Sequence, residues 1–279
     1  MIKIIVDSTQ NLPEDYLAKH DIRIAPITIQ FGTETYRENL DIDRKTFYRK
    51  IEEMGIIPTT SQPTPGAYAD FYRELSKDGH QILVIAITSK LSGTYDSAVL
   101  AKSMVPEADV EIFDSMVISS GTGWMVMEAV RAVEAGKSRD EIVARLSHIR
   151  DNSVFVLTPA TLKYLQMSGR VGALKGALGA LLNVKPIIYL KDGMLEAGES
   201  VRTRGKTIDR LVEVVKESVG TSEPVNLAVI HAATPDEGLA LAERVKTEFK
   251  VKELVIHDLV ASLAVHGGPG VIGLFGYRA

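Results

Sequence analysis

Short apolar runs alternate with polar turns and longer mixed stretches along this chain. Ile2–Val6 and Gln81–Ile87 are nearly continuous apolar runs, the pattern of strands covered on both faces of a parallel sheet. Each ends in a polar turn, Asp7-Ser8-Thr9 and Thr88–Thr94. Pro13 marks a helix start after the first turn. Ile22–Phe31 is β-rich, with Pro26 placing part of it at an edge. Asp43 predicts a cap for a helix over Arg44–Glu53. Thr64 and Pro65 open another through Leu75. Between them Ile57–Gly66, rich in proline and hydroxyls, reads as a stiff extended loop. The pattern continues with a helix from Ser97 to about Met104, a strand Val110–Phe113 ending in Asp114-Ser115, and a long buried helix over Ser119–Ala135 with Gly136 as its C-cap. Ser138-Arg-Asp-Glu141 is a capping box that opens a helix to about Asn152. Strands alternating with helices predict a parallel sheet with helices on both faces, a three-layer α/β/α domain.

The pattern changes after Asn152. A strand Val154–Leu157 precedes a helix over Ala160–Ser168, a break at Gly169-Arg-Val-Gly172, and a second helix over Ala173–Leu182. Strands Val184–Leu190 and Leu195–Arg204 flank Lys191-Asp-Gly193, a hairpin signal. There follow a helix Thr207–Val219, a strand Val225–His231, a helix Pro235–Phe249, a strand Lys252–Ile256, and a last strand Val271–Gly276, with His266 at its start. A hairpin with returning strands predicts an α/β domain with a mixed sheet. The chain of 279 residues is therefore expected to form two domains, 1–153 and 154–279.

Composition narrows the function classes. A chain 45% hydrophobic and 24% charged is that of an ordinary globular protein, and a net charge of -4 lacks the basic footprint of a nucleic-acid module. The absence of cysteine excludes disulfides, thiolate catalysis and cysteine-ligated zinc. Six scattered histidines offer no paired metal-ligand spacing, so no metal is expected, and with no G-x-x-x-x-G-K-[ST] in the chain no cofactor is expected either. The first residues lack the features of a signal peptide, and no run approaches a membrane span; the cytoplasm is the default expectation. Gly268-Pro-Gly270-Val-Ile-Gly273 matches G-x-G-x-x-G, but only six residues follow it, too few for the helix and strand of a dinucleotide fold.

The candidate chemistry gathers at turns. Ser89, Ser92, Gly93 and Thr94 lie between a strand and a helix, where an open α/β sheet binds ligands. The N–H groups and dipole of a helix start suit a carboxylate or phosphate. Serine and threonine ahead of a helix are also ordinary N-caps, and both readings stand on the sequence. Thr59, Thr60 and Ser61 put three more hydroxyls in a row. A serine esterase or phosphatase is the enzymatic alternative, with Ser92 as nucleophile, His231 or His266 as base, and Asp7 or Asp114 as orienter. Against it, Lys90 stands where the first glycine of a nucleophile elbow belongs. Arg170, Arg202 and Arg204 lie beside glycines or hydroxyls. Such arginines are commonly solvated surface, and also hold phosphate or an acidic partner.

Asp7-Ser-Thr9, Thr60-Ser-Gln-Pro63, Leu91-Ser-Gly-Thr-Tyr95, Asp114-Ser115, Gly169-Arg170, Arg202-Thr203 and His266-Gly-Gly-Pro-Gly270 together resemble the DegV family, in its order and over nearly the whole chain. Gln10-Asn11 departs from a Ser-Asp pair common there, and Gly268-Pro269 falls in a variable loop. Members bind long-chain fatty acids, and some serve as the binding subunit of a bacterial fatty acid kinase. The resemblance implies two α/β domains with the acyl chain running between them. It implies no catalytic residue. Thr60 and Ser92 are expected to hold the carboxylate, with Ser61 and the Gly93 amide close by, and Arg170, Arg202 and His266 to lie near the mouth, a region associated with phosphoryl transfer in kinase-partnered members. The expected ligand is a palmitate-like acid, and the expected partner a fatty acid kinase subunit, with no nucleic acid, no transmembrane segment and transient membrane contact left open. A lipid-responsive regulator without a kinase is a further alternative. Each buried CH₂ contributes about 0.8 kcal/mol, so about fourteen methylenes give up to about 11 kcal/mol before ordering costs. Most of the affinity is thus expected from an apolar tunnel around the tail, to which Ala173–Leu182 and the buried strands are candidate contributors, and orientation from the hydroxyls.

Overall fold

A computed structural model describes residues 1–170 and 185–279 of the chain. Those residues form two compact units, one of Met1–Arg150 with Val260–Ser262, the other of Asp151–Leu259 with Leu263–Ala279.

The first unit begins with β1 (Ile2–Asp7), α1 (Glu14–Lys19), β2 (Arg23–Ala25), β3 (Thr28–Phe31) and β4 (Glu34–Arg37). It continues with α2 (Arg44–Met54), β5 (Thr59–Ser61), α3 (Pro65–Ser76), β6 (Gln81–Ala86), α4 (Thr94–Met104), β7 (Val110–Asp114), α5 (Ser120–Glu134) and α6 (Arg139–Asp151). Four strands form a parallel sheet in the order β2-β1-β6-β7. Side chains alternate across a strand, so Ile5, Ile82 and Val84 meet Tyr68, Ala69 and Tyr72 of α3 and Ala98 and Ala101 of α4. Ile4, Val6, Leu83 and Ile85, pointing the other way, are buried as well. Both faces are therefore covered, as the apolar runs predict, and α5 also packs on β1 and β6. The caps read from sequence form: Asp43 accepts from the Thr46 N–H at 2.7 Å, and Ser138 and Glu141 close their box at 2.9 and 3.3 Å.

In the first unit β4 had no counterpart in the sequence reading, and two features near the polar turns differ from it. Thr59–Ser61 is a strand, not a loop: it pairs antiparallel with β3, and β4 completes a small sheet in the order β4-β3-β5. Its polar side chains hide it, since only one edge of it is paired. The helix after the Thr88–Gly93 turn starts at Thr94, earlier than Ser97.

The second unit contains β8 (Ser153–Thr158), α7 (Lys163–Met167), β9 (Lys185–Lys191), β10 (Met194–Val201), α8 (Arg204–Val219), β11 (Val225–His231), α9 (Pro235–Glu248), β12 (Val251–Asp258), α10 (Ala261–Gly267) and β13 (Ile272–Arg278). The first two residues of α10 belong to the first unit. A mixed sheet runs β10-β9-β8-β13-β11-β12, in which, among the described residues, only β11 and β12 pair in parallel. The Asp192-Gly193 hairpin forms with φ of 48° and 78°, the left-handed pair such a turn requires. The expected helix over Ala173–Leu182 lies outside the described residues. Arg204 proves to be helical rather than the end of a strand, because Thr203 accepts from the Lys206 N–H and caps α8. His266 sits in the last turn of α10, not at a strand start.

Candidate functional site

The register of the parallel sheet aligns the carboxyl ends of β1, β6 and β7. Val6 pairs with Ile85, and Ala86 with Asp114. Asp7, the Thr88–Gly93 turn and Asp114 therefore stand side by side at one edge. Asp7 is fully buried and accepts from the Thr9 N–H (2.9 Å), the Thr9 hydroxyl and the Ile87 N–H (2.9 Å). Burial pushes its carboxyl upward, opposed by those bonds. From the other flank, the Asp114 carboxylate accepts from the Ser89 N–H (3.2 Å) and the Met116 N–H (3.1 Å). Thr88 donates its N–H to the Val117 carbonyl at 3.0 Å. The backbone leading to Ser92 is thus pinned by β1 and β7 before it enters α4.

Gly93 is the residue ahead of α4, and Ser92 precedes it. The hydroxyls of Ser92 and Thr94 lie 2.8 Å apart, and the Thr94 N–H points at Ser92 Oγ at 3.3 Å. Gly93 is the N-cap of α4 and offers no side chain, so Ser92, one residue earlier, closes a short hydroxyl turn on Thr94 rather than capping the helix. A hydroxyl has one proton and two acceptor sites. With Thr94 donating, the Ser92 proton is left for an anion at the same helix start.

The second hydroxyl wall comes from β5. Thr60 stands opposite Ile29 of β3, and Ser61 opposite Thr28. Thr60 is half-buried and Ser61 exposed. The two walls meet one residue on: a Cβ built on Gly93 would lie 2.9 Å from Gln62 Nε2. Thr60, Ser61, Ser92 and Gly93 thus belong to neighbouring segments of one unit. Neutral hydroxyls and backbone N–H groups in that setting can take a carboxylate without a buried cation.

The other expected residues lie in the second unit. Arg170 donates to the Ser168 carbonyl at 2.7 Å. It acts on His266, whose pKa is held down to about 3, first by burial and then by the Arg170 charge, so the imidazole is neutral near pH 7. Arg202 is exposed. Arg204 instead bonds Glu237 (2.5 Å) and the Gly270 carbonyl (2.8 Å), a structural role in the final loop. Gly268 in that loop has φ of 75° and packs against Tyr164, whose ring leaves no room for a Cβ.

The carboxylates of Asp7 and Asp114, the orienters of the enzymatic alternative, accept from N–H groups and the Thr9 hydroxyl of their own unit. His231 Nδ1 lies 3.4 Å from Asp258 Oδ1, a pairing the sequence offered no sign of. Among the described residues no group of three or more His, Cys, Asp or Glu side chains is placed to hold a metal ion, and no helix is long and apolar enough to cross a membrane.

One buried group carried no sequence signal at all. Glu38 is fully buried, and its carboxylate accepts from Ser8 Oγ (2.6 Å), the Ser262 N–H (2.6 Å) and Ser262 Oγ (2.7 Å). Burial raises its pKa to about 7, with the Asp7 charge adding to the rise.

A two-unit α/β protein with a polar cup at the carboxyl edge of a parallel sheet is the class these features define. The chain belongs to the DegV family: a family model described as "Uncharacterised protein, DegV family" matches residues 1–279. It is 32% identical to Protein DegV of Bacillus subtilis over 274 residues, covering 98% of each chain. It superposes on a fatty-acid-binding DegV family protein of Thermus thermophilus with a TM-score of 0.94, at 31% identity, covering 100% of this chain and 99% of that one. It also superposes on a stearic-acid-binding protein of Eubacterium ventriosum with a TM-score of 0.92, at 31% identity, covering 100% of this chain and 98% of that one.

Proposed function

We propose that this chain binds a long-chain, palmitate-like fatty acid and presents it to a separate fatty acid kinase in cytoplasmic lipid metabolism. Thr60 and Ser92 hold the carboxylate, assisted by Ser61 and the Gly93 amide; Arg170, Arg202 and His266 serve the phosphoryl-transfer step. The chain itself is the non-catalytic partner and uses no cofactor. The observation that carries this reading is the meeting of the Thr60 and Ser92 segments at Gln62 and Gly93, beside the start of α4. The fatty-acid ligands of relatives that share the fold over their full lengths support it. Burial of the methylenes supplies most of the affinity, and the neutral donors select a free acid over an ester or alcohol.

Solvent extraction of the purified protein followed by mass spectrometry tests the reading. Free long-chain acids are expected in the extract, and the stripped protein is expected to take up palmitate. Lipid-free protein that also refuses palmitate would overturn it.

A further inference from the structure

We infer that the Asp7-Ser8-Thr9 turn is a positioning element that sets the two hydroxyl walls against each other, Asp7 fixing the Ser92 segment and Ser8 the Thr60 segment. The inference rests on the carboxylate site proposed above, and its residues are positioning residues rather than ligand contacts.

All three residues of the turn are at most 3% exposed, and the turn is wound as a short 3₁₀ segment that Asp7 itself caps. From it two lines of bonds diverge. Asp7 Oδ2 accepts from the Ile87 N–H at 2.9 Å, and Ile87 leads directly into Thr88–Gly93. Ser8 Oγ accepts from the Ile27 N–H at 2.9 Å and donates to Glu38 at 2.6 Å. Glu38 in turn donates its own N–H to the Ile27 carbonyl at 2.9 Å. Ile27 is therefore held at both its N–H and its carbonyl, and the next residue starts β3, whose Ile29 pairs with Thr60. Adjacent side chains on one rigid turn thus govern the placement of segments that are far apart in sequence. A group held in place by its neighbours binds with less ordering cost than a mobile one.

The test is a set of double-mutant cycles read by titration with palmitate, with hexadecanol as the tail-only control. Thr60→Ala and Ser92→Ala are each expected to weaken palmitate about tenfold, the scale of one hydrogen bond to a charged group, with little effect on hexadecanol. In the Ser8→Ala background, Thr60→Ala should cost less than about threefold, and in the Asp7→Asn background Ser92→Ala should do the same. The crossed pairs, Ser8 with Ser92 and Asp7 with Thr60, should stay multiplicative. General loosening of the fold would weaken hexadecanol as well and would show no such selectivity, and that pattern overturns the inference. Fully multiplicative cycles throughout overturn it too, while leaving the carboxylate site standing. If Thr60→Ala and Ser92→Ala alone leave palmitate binding unchanged, the site reading falls and the inference with it. Should Asp7→Asn fail to fold, the Ser8 cycle decides, because that variant keeps the buried carboxylate cap.

Discussion

Gln62 lies across Gly93, close enough that a methyl group on the glycine would stand 2.9 Å from Gln62 Nε2 and 3.2 Å from its Cδ. The obstacle is the end of a flexible side chain, and Gly93 has an ordinary φ of -75°, so no backbone strain is involved. Gly93→Ala should therefore cost about 1 kcal/mol of stability or less, as a poorer residue at a helix start, while lowering palmitate affinity by displacing Gln62. Gln62→Ala in the same chain should restore that affinity. Calorimetric titration of the single and double variants checks this; an unrestored double variant would show that the contact between the walls is irrelevant to binding.

Glu38 predicts a pH dependence of stability. Its folded pKa of about 7 lies above the ordinary 4.5, so the fold prefers the neutral acid. The stability it contributes is fully present below about pH 4.5 and is lost as pH rises through 7, a loss of roughly 3 kcal/mol. Glu38→Gln should thus gain on the parent in urea midpoint between pH 5 and 8. Asp7, also raised by burial, remains in that variant, so the slope is reduced rather than abolished. A parent and variant with parallel pH profiles would contradict the assignment.

His266 works in the opposite direction. Its folded pKa of about 3 lies below 6.5, so its contribution is present above pH 6.5 and is lost as pH falls toward 3. His266→Gln should resist acid better than the parent below pH 6. Palmitate affinity should show no His266-dependent step between pH 6.5 and 8, because the imidazole is neutral throughout. A step there that vanishes in His266→Gln would mean that a cationic imidazole takes part.

Arg202 is exposed, and Arg170 sits beside the half-buried His266. Arg202→Ala is expected to leave palmitate affinity within about twofold, as for a solvated charge. With a fatty acid kinase and ATP it should lower acyl-phosphate formation more than about tenfold, the scale of a lost charge-assisted contact. Loss of palmitate binding instead would move Arg202 into the carboxylate site.

The sequence was most legible where local chemistry decides the outcome. The strands at Ile2–Val6 and Gln81–Ile87 are apolar on both faces because helices cover both, and the caps at Asp43, Thr64 and Ser138 act within a turn of themselves. Thr59–Ser61 was not legible as a strand. Its three polar residues match an extended loop, and only pairing with β3 makes the difference. The helix Ala261–Gly267 went unread because its mostly apolar residues carry no polar periodicity to mark it. The Glu38–Ser262 contact joins residues 224 positions apart, so no window of sequence contains it. At the site, Asp7, Thr60, Ser92 and Asp114 could be picked out individually as polar residues at turns or strand ends. What they do for one another depends on the register of the sheet.

The most direct measurement is a crystal structure of the protein soaked or grown with palmitate. The predicted result has one carboxylate oxygen within hydrogen-bond distance of Ser92 Oγ and the other within reach of Thr60 Oγ1, with the Gly93 amide alongside. A palmitate whose carboxylate lies away from both hydroxyls, or a methyl end seated at Ser92, would contradict the account.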